Sequence, residues 1–247
     1  MGAVQKVEQV KHLPIKFGEV ARYVIVPGDP KRVPIIAESL ENVIDQGQNR
    51  EFNAYKGTHK GIEVSVVSTG IGCPSTAIAV EELSHIGAEV FIRIGTSGSV
   101  DKSAKKGDIF IATAAVRDDG TSKQYIPIEF PALASHNVVS SLIKASENLN
   151  IDSKVGICQS KDSFFGETEP DRMPVAPYLD FKWKSWQKGG VGASEMEAAT
   201  LFTLSQIKRI EAGAILAIET SDKKTIKKMT EIVLESITYM ENEKNVR

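Results

Sequence analysis

The sequence predicts an α/β fold in a single domain, built on a central sheet that is mostly parallel. Short apolar runs alternate with helical patterns along the chain, which is typical of parallel strands joined by helices. A length of 247 residues with 41% hydrophobic residues is sufficient for a large core. Neither an internal repeat nor a low-complexity linker divides the chain, so we expect one domain over residues 1–247.

Five apolar runs predict the strands of this sheet. A helix is predicted between the second and third runs, in PSTAIAVEELSHIG (74–87), because Pro74 stands near its start, apolar residues follow at helical spacing, and Gly87 stands where a helix would stop. In chain order the five runs are YVIV (23–26), EVSVVS (63–68), EVFIRIG (89–95), DIFIATAAV (108–116) and AGAILAI (212–218).

Two later stretches differ in their regularity. Residues 159–190 lack periodicity and contain several prolines and two tryptophans, which favours an active-site loop over a disordered insert. The stretch KKTIKKMTEIVLESITYM predicts a C-terminal amphipathic helix with a solvated lysine face. Its apolar face would carry Ile226, Met229, Ile232, Val233, Ile237 and Met240.

The composition argues against several classes of partner and site. Thirty basic and thirty-two acidic residues give a net charge of −2, so we expect neither nucleic acid nor a membrane as partner. Cys73 and Cys158 have no CxxC partner and are interpreted as buried thiols. The stretch MGAVQKVEQVKHLP lacks the apolar core of a signal peptide, and no apolar run approaches the ~18 residues that span a bilayer. These absences predict a cytoplasmic protein.

Three Gly-rich segments follow predicted strands, and ligands of α/β sheets collect at such strand ends. VIVPGDPKRV (24–33) fits a β-to-α connection in which Asp29 caps a helix and Pro30 is its first residue. It also fits an anion site. STGIGCPS (68–75) and RIGTSGS (93–99) are the other two. Arg93 stands in an apolar run, so either a carboxylate or a bound anion must meet its charge.

A fourth segment, ASEMEAATLF, places two carboxylates before a helical pattern. Glu195 and Glu197 are explained equally by the helix dipole and by hydrogen bonds to two neighbouring sugar hydroxyls. Their spacing does not choose between these interpretations.

Six motifs together resemble the uridine phosphorylases of the hexameric nucleoside phosphorylase family. The similarity runs in order from His12 to Ile218. It implies an α/β fold with a distorted, partly barrel-like mixed central sheet flanked by helices. It also implies that inorganic phosphate cleaves a nucleoside to a free base and ribose 1-phosphate, a reaction of nucleoside salvage. The motifs are VIVPGDPKRV, NREF (49–52), STGIGCPSTAIAVEEL (68–83), FIRIGTSG (91–98), AAVRDDG with the later IEFPA (114–132), and SEMEAATLF.

The resemblance also assigns roles to residues, with phosphate as co-substrate and no cofactor. It implies a homohexamer, a trimer of dimers, in which subunits share active sites. Arg50 would reach the phosphate of a neighbouring subunit, and His12 would contact its ribose. Phosphate would be held by Gly28, Arg32, Arg93 and Thr96, the ribose by Met196 and Glu197, and the base by Phe164. Some relatives hold a monovalent cation, potassium for example, between subunits at positions that match Glu51, Ile71 and Ser75.

The match departs from the uridine phosphorylases at the base. DSFFGETEPDRMP lacks their glutamine, and Arg172, the candidate base-binding arginine, is displaced by extra residues. Ser221 and Asp222 resemble the pair with which the purine enzymes place an acid at the base, but a helix cap is the favoured interpretation of Asp222. We expect uridine to be preferred, with discrimination weaker than the ~10⁴ of a complementary site, and inosine to be the second substrate.

Three alternatives stay open at this point. The first is a purine nucleoside phosphorylase acting on inosine or adenosine. The second is a related nucleosidase that uses water, which Arg32, Arg50 and Arg93 disfavour because a water nucleophile needs no cluster of cations. The third is a nucleoside-binding protein without turnover, because the chain passes almost directly from its last strand into the final helix.

Overall fold

A sheet of ten strands forms the centre of the protein in the computed structural model, which describes residues 10–246. The five predicted apolar runs form β1, β4, β5, β6 and β10, which confirms them as strands. The strands are β1 (Tyr23–Ile25), β2 (Glu41–Asn49), β3 (Phe52–His59), β4 (Ile62–Val67), β5 (Val90–Ser99), β6 (Ile109–Asp118), β7 (Ala132–Leu133), β8 (Ser153–Lys161), β9 (Val191–Glu195) and β10 (Glu211–Ile218).

The sheet closes on itself over half of its width. Its order is β10-β6-β8-β9-β5-β1-β4-β3-β2, with β7 paired beside β6. Strand β10 also pairs with β5, so that β5, β9, β8, β6 and β10 form a closed barrel. Strands β1, β4, β3 and β2 extend from β5 as an open sheet. This confirms the partly barrel-like sheet that the resemblance implies.

The prediction of a mostly parallel sheet is wrong, because the sheet is mixed. Strand β1 runs parallel to β4 and β5, whereas β3 pairs antiparallel with both β2 and β4. In the barrel, β10 pairs parallel with β5 and antiparallel with β6. The antiparallel strands β2 and β3 carry many polar residues and few apolar runs, so the sequence pattern did not reveal them.

Helices cover both faces of the sheet. Side chains alternate along β1: Val24 packs in a core with α2 and α7, while Tyr23 and Ile25 pack in a second core with α1, α4 and α8. The helices are α1 (Arg32–Ala37), α2 (Cys73–His85), α3 (Ser122–Tyr125), α4 (His136–Asn148), α5 (Phe164–Thr168), α6 (Ala176–Lys188), α7 (Ala198–Lys208) and α8 (Lys223–Val246).

The two helices predicted from the sequence are present. Helix α2 begins one residue before Pro74, and Gly87 follows its end with a φ of +118°. Helix α8 buries the apolar face that was predicted for it, Ile226, Met229, Ile232, Val233, Ile237 and Met240. Cys73 and Cys158 are buried free thiols, as predicted.

Two local predictions are wrong. Residues 159–190 are not an irregular loop, because they contain the end of β8, α5, a 3₁₀ turn at Pro170–Arg172, and α6. In the turn before α1, Asp29 accepts a hydrogen bond from the backbone N–H of Lys31 at 2.9 Å, and α1 begins only at Arg32. Asp29 and Pro30 therefore shape the turn, and Lys31 occupies the N-cap position.

Residues 1–9, which form most of the N-terminal stretch predicted to lack a signal peptide, lie outside the described residues. Within residues 10–246, no helix combines the length and the apolar character needed to cross a membrane.

Candidate active site

The ends of β1 and β4 meet the side chain of Arg93 at Gly28, which follows β1. A Cβ built on Gly28 would lie 3.2 Å from the carbonyl oxygen of Gly70, which follows β4, and 3.7 Å from Nη1 of Arg93 in β5. The same position is 4.0 Å from Oε1 of Glu197. Glycine at residue 28 thus leaves a small space that is surrounded by backbone, a guanidinium and a carboxylate.

Arg93 is buried, with only 4% of its surface exposed. Its Nε donates to Oε2 of Glu195 at 2.9 Å, and its Nη2 donates to Oε2 of Glu197. Burial would lower the pKa of Arg93, but the two carboxylates outweigh that effect and raise it, so the side chain stays charged. Its Nη1 is buried and has no hydrogen-bond partner among the described residues. Arg93 therefore has structural carboxylate partners and also an unused donor beside Gly28.

Glu195 fixes the position of Arg93 and the start of α7. Besides the bond from Arg93, its carboxylate accepts backbone N–H groups from Glu197 at 2.9 Å and from Ala198 at 3.0 Å. The hydroxyl of Ser160 donates to its other oxygen. For Glu195 the structure thus favours capping of the helix, because its oxygens are occupied by the protein itself.

Glu197 lies on the side of the cluster that faces Gly28. Its Oε1 accepts the backbone N–H of Gly72 at 2.7 Å, and its Oε2 meets Arg93. Burial raises the pKa of Glu197, and the attraction of Arg93 offsets only part of that rise. Met196 precedes it and is half-buried, with its carbonyl oxygen 3.2 Å from Sγ of Cys73.

A second guanidinium, that of Arg32, belongs to the same electrostatic cluster. Burial lowers the pKa of Arg32, and repulsion from Arg93 lowers it further, while Asp29 and Glu197 act in the opposite direction. Two cations held near each other attract an anion. Thr96 is half-buried on β5, three residues after Arg93, where it pairs with Ala217 of β10.

His12 contacts α2 and β3, whereas Arg50 lies exposed at a turn. Nδ1 of His12 lies 2.7 Å from Oε1 of Glu82 on α2, and its ring packs edge-on against Phe52. Burial alone would raise the pKa of Glu82, but hydrogen bonds from the His12 ring and from backbone N–H groups lower it. Arg50 is exposed at the turn between β2 and β3, with a φ of +52°.

The three residues predicted to hold a cation lie around Gly70. The hydroxyl of Ser75 donates to Oε1 of Glu51 at 2.8 Å, and the side chain of Ile71 is 78% exposed. A Cβ on Gly70 would lie 2.6 Å from Cγ of Glu51 and 2.7 Å from Oγ of Ser75, so only glycine fits there. Hydrogen bonds from its own backbone N–H and from Ser75 lower the pKa of Glu51.

The candidate base-binding residues lie on and after α5. Phe164 is exposed at the first residue of α5, and its ring meets that of Phe165 edge-on at 5.5 Å. Arg172 is also exposed: its guanidinium pairs with Glu169 and lies 5.9 Å from the Phe165 ring. The structure thus does not bring Arg172 to the Arg93 cluster.

Asp222 is the N-cap of α8. Its Oδ1 accepts the backbone N–H of Thr225 at 2.9 Å, and the hydroxyls of Thr220 and Thr225 bind Oδ2. The backbone bond from Thr225 and the two hydroxyl bonds lower the pKa of Asp222 to about 2. A carboxyl with so low a pKa is ionised near neutral pH and has no proton to give to a leaving base.

A cavity of about 350 Å³ is bounded by the end of β8, α5 and α6. Sequence reasoning missed the polar residues that line it. Lys161 and Glu167 form an ion pair of 2.8 Å there, and Gln159 donates to Asp118 at 2.9 Å. The available signal was the change from apolar to polar residues at the end of β8, in ICQSKD.

A family model described as the phosphorylase superfamily matches residues 22–245. The chain belongs to the phosphorylase superfamily. Within it, the chain is 45% identical to a uridine phosphorylase of Treponema pallidum, over 84% of this chain and 80% of that protein. It is 44% identical to a uridine phosphorylase of Thermococcus kodakarensis, over 84% of this chain and 76% of that protein. The chain is 38% identical to a guanosine phosphorylase of Halorubrum lacusprofundi, over 84% of this chain and 82% of that protein.

The superfamily match includes the whole Arg93 cluster, whereas His12 precedes its first residue. The match confirms the family that the six motifs indicated.

Proposed function

We propose that this chain is a pentosyltransferase that cleaves uridine with inorganic phosphate to uracil and ribose 1-phosphate. The observation that carries the proposal is Arg93, a buried guanidinium whose Nη1 lies beside Gly28 without a partner among the described residues. The uridine phosphorylases among the relatives support the choice of reaction and base.

Phosphate would occupy the space at Gly28. Arg93 and Arg32 supply charge there, and guanidinium groups are protonated near neutral pH, where phosphate carries between one and two negative charges. The hydroxyl of Thr96, three residues after Arg93 on β5, would complete the phosphate site. The reaction needs no cofactor, because the co-substrate phosphate is itself the nucleophile.

The ribose would lie between the phosphate and Glu197. As the glycosidic bond breaks, positive charge develops on the anomeric carbon, and the adjacent phosphate both stabilises that charge and attacks the carbon. Glu197 would accept hydrogen bonds from the sugar hydroxyls, and Met196 would pack against the ring. The bonds that already hold Glu197, from Gly72 and Arg93, fix its carboxylate in advance.

A purine nucleoside is the second candidate substrate. The guanosine phosphorylase among the relatives favours it, since it matches the same share of this chain as the two uridine phosphorylases do. The cap contacts of Asp222 argue against an acid at that residue, so a purine base would be recognised by other groups.

The assembly belongs to the same proposal. Arg50 and His12 would serve the active site of a neighbouring subunit in a hexamer built from three dimers. A potassium ion would bind between subunits at Glu51, Ile71 and Ser75, where a carboxylate and a hydroxyl supply the oxygen ligands that such ions prefer. A cytoplasmic location stays a prediction.

Base release from uridine, followed with and without phosphate, tests the function. We expect release only with phosphate, together with one equivalent of ribose 1-phosphate. Equal rates without phosphate would identify a hydrolase, and no release under either condition would leave a binding protein.

A further inference from the structure

The ion pair of Lys161 and Glu167 lines the cavity between the end of β8, α5 and α6. Nζ of Lys161, the last residue of β8, lies 2.8 Å from Oε2 of Glu167 and donates to Oγ of Ser194 at 2.7 Å. Ser194 pairs with Gly98 across β9 and β5, and Oε1 of Glu167 is 3.3 Å from the Cβ position of Gly98. The pair is thus held above Gly98 by two strands and a helix.

Three residues near this pair are close in sequence to residues proposed to bind the nucleoside. Gly98 is two residues beyond Thr96 on β5, and Ser194 is three residues before Glu197. Phe164 and Glu167 are three residues apart on α5 and therefore share one side of that helix. A nucleoside with its phosphate at Arg93 and its ribose at Glu197 would then extend its base toward Gly98.

The two charged groups form an acceptor next to a donor. A carboxylate only accepts hydrogen bonds and an ammonium only donates them. This order complements a base that presents an N–H next to a carbonyl, as uracil does with N3–H and C4=O, and as hypoxanthine and guanine do with N1–H and C6=O. Cytosine and adenine present the reverse order, a bare ring nitrogen next to an amino group.

We infer that Glu167 and Lys161 select the base, with Glu167 accepting the ring N–H and Lys161 donating to the adjacent carbonyl. This inference rests on the proposed function and deepens it. It supplies a polar pair where DSFFGETEPDRMP lacks a glutamine and where Arg172 is turned to Glu169. The same pair would accept uridine, inosine and guanosine, and would reject cytidine and adenosine.

Two variants test the pair by kcat/KM for uridine, inosine, cytidine and adenosine at saturating phosphate. For the unchanged chain we expect uridine and inosine to exceed cytidine and adenosine by about 10³-fold or more, because a mismatched base leaves buried polar groups unpaired. Glu167→Gln supplies an amide that can also donate, so the uridine-to-cytidine ratio should fall at least about tenfold. Lys161→Met should lower kcat/KM for uridine by about 10- to 100-fold.

Lys182→Met is the matched control. Lys182 pairs with Asp118 in the same cavity, and Asp118 is linked to Ser194 indirectly, through Gln159. This variant also loses a largely buried ammonium, and we expect its base ratios to stay within about twofold of the unchanged chain. The KM for phosphate should be the same in all three variants, because none of them touches the Arg93 cluster.

Thermal unfolding identifies any variant that does not fold. Glu167→Gln keeps the size and hydrogen bonding of the side chain, so it is the variant that decides whether Glu167 selects the base. A uridine-to-cytidine ratio that is unchanged in folded Glu167→Gln overturns the inference, as does an equal loss of that ratio in Lys182→Met. These results leave the proposed function standing. Absence of phosphorolysis by the unchanged chain contradicts the proposed function instead, and calorimetric binding of uridine and cytidine to the chain and to Glu167→Gln then tests the pair without turnover.

Discussion

At the scale of single residues, Arg93 shows how one side chain is fixed and yet left with an unused donor. Glu195 and Glu197 hold two of its nitrogens, and the buried Nη1 has no partner among the described residues. A buried unpaired donor costs about 1–3 kcal/mol, a cost that a bound anion would remove. The carboxylates that fix Arg93 therefore also make it a binding group.

Replacement of Arg93 by lysine should lower kcat/KM for uridine about 10²- to 10³-fold, because an ammonium cannot bond Glu195, Glu197 and phosphate together. Steady-state kinetics with varied phosphate measure the loss. Arg22→Lys is the control, since Arg22 forms ion pairs with Glu89 and Glu241 on the surface. Near-normal phosphate-dependent turnover in folded Arg93→Lys would contradict the phosphate site.

Substitutions of Asp222 test whether the Ser221-Asp222 pair is a helix cap or supplies a catalytic acid. Asp222→Ala should lower the Tm at pH 7, whereas Asp222→Asn retains a good N-cap and should keep most of the Tm and of the activity. The pKa of Asp222 is lowered to about 2. Its charge therefore stabilises the fold above the unfolded value of about 3.9, and this contribution is lost as the pH falls toward 2.

Differential scanning calorimetry between pH 7 and pH 3 should show the Tm gap between the unchanged chain and Asp222→Ala narrowing below about pH 4. A gap that widens on acidification would contradict the cap. A large loss of turnover in Asp222→Asn with an unchanged Tm would restore the catalytic acid.

At the scale of elements, the sequence predicts the helices and strands whose buried apolar residues follow a regular pattern. Helix α2 and strand β5 have such a pattern, and both were predicted. None of the residues of α6 is buried, so its apolar residues, including Tyr178 and Phe181, show no core-facing period. The ends of β1 and β4, which precede Gly28 and Gly70, were predictable from turn chemistry. The prediction that RIGTSGS (93–99) leaves a strand is wrong, because residues 93–99 lie within β5.

The partners within the site were not predictable in the same way. Arg93 and Glu195 are 102 residues apart, and only the sheet brings them together. Glu167 and Lys161 lie on different elements, and neither belongs to one of the six motifs that carry the resemblance. Pairing across elements depends on tertiary packing, which periodicity and spacing do not encode.

The turn after β1 gives a test of the phosphate space. A Cβ in Gly28→Ala would lie 3.2 Å from the carbonyl oxygen of Gly70 and 3.7 Å from Nη1 of Arg93. We expect the KM for phosphate to rise about tenfold, because the methyl group would enter the space proposed for the anion.

Gly189→Ala is the matched control for this turn. Its Cβ would lie 3.2 Å from the carbonyl oxygen of Ser185, at an ordinary φ of −77° and at the end of α6. Steady-state kinetics and Tm values for both variants separate the effects: similar Tm changes with a raised KM only in Gly28→Ala support the space. An unchanged KM in Gly28→Ala places phosphate elsewhere.

At the scale of the whole molecule, β2 is a long strand at one end of the sheet order. Every residue of β2 except Gln46 is exposed, and Arg50 follows directly at its turn. An exposed edge strand of nine residues is a surface that proteins usually cover. If a neighbouring subunit covers β2, Arg50 would lie close to the active site of that neighbour. This is the shared arrangement that we propose.

Mixed subunits test that arrangement. Arg50→Ala and Arg93→Lys should each have little activity alone. If subunits exchange in a 1:1 mixture, half of the dimers are mixed and one of their two sites is intact, so activity should return to about a quarter of normal. Activity of the mixture that only equals the mean of the two variants would contradict shared sites, as would a fully active monomer in sedimentation.

The closed barrel also determines when the protein can fold during its synthesis. Strand β10, residues 211–218, joins β5 to β6, so the ring of strands cannot close until these residues have left the ribosome. After β5 and Arg93 have been synthesised, more than a hundred further residues must be added before Glu195, the partner of Arg93, is present. Pairings this distant in sequence form slowly, and the unfinished barrel exposes apolar edges meanwhile. We therefore expect nascent chains to need chaperone protection, and prematurely terminated ones to be degraded.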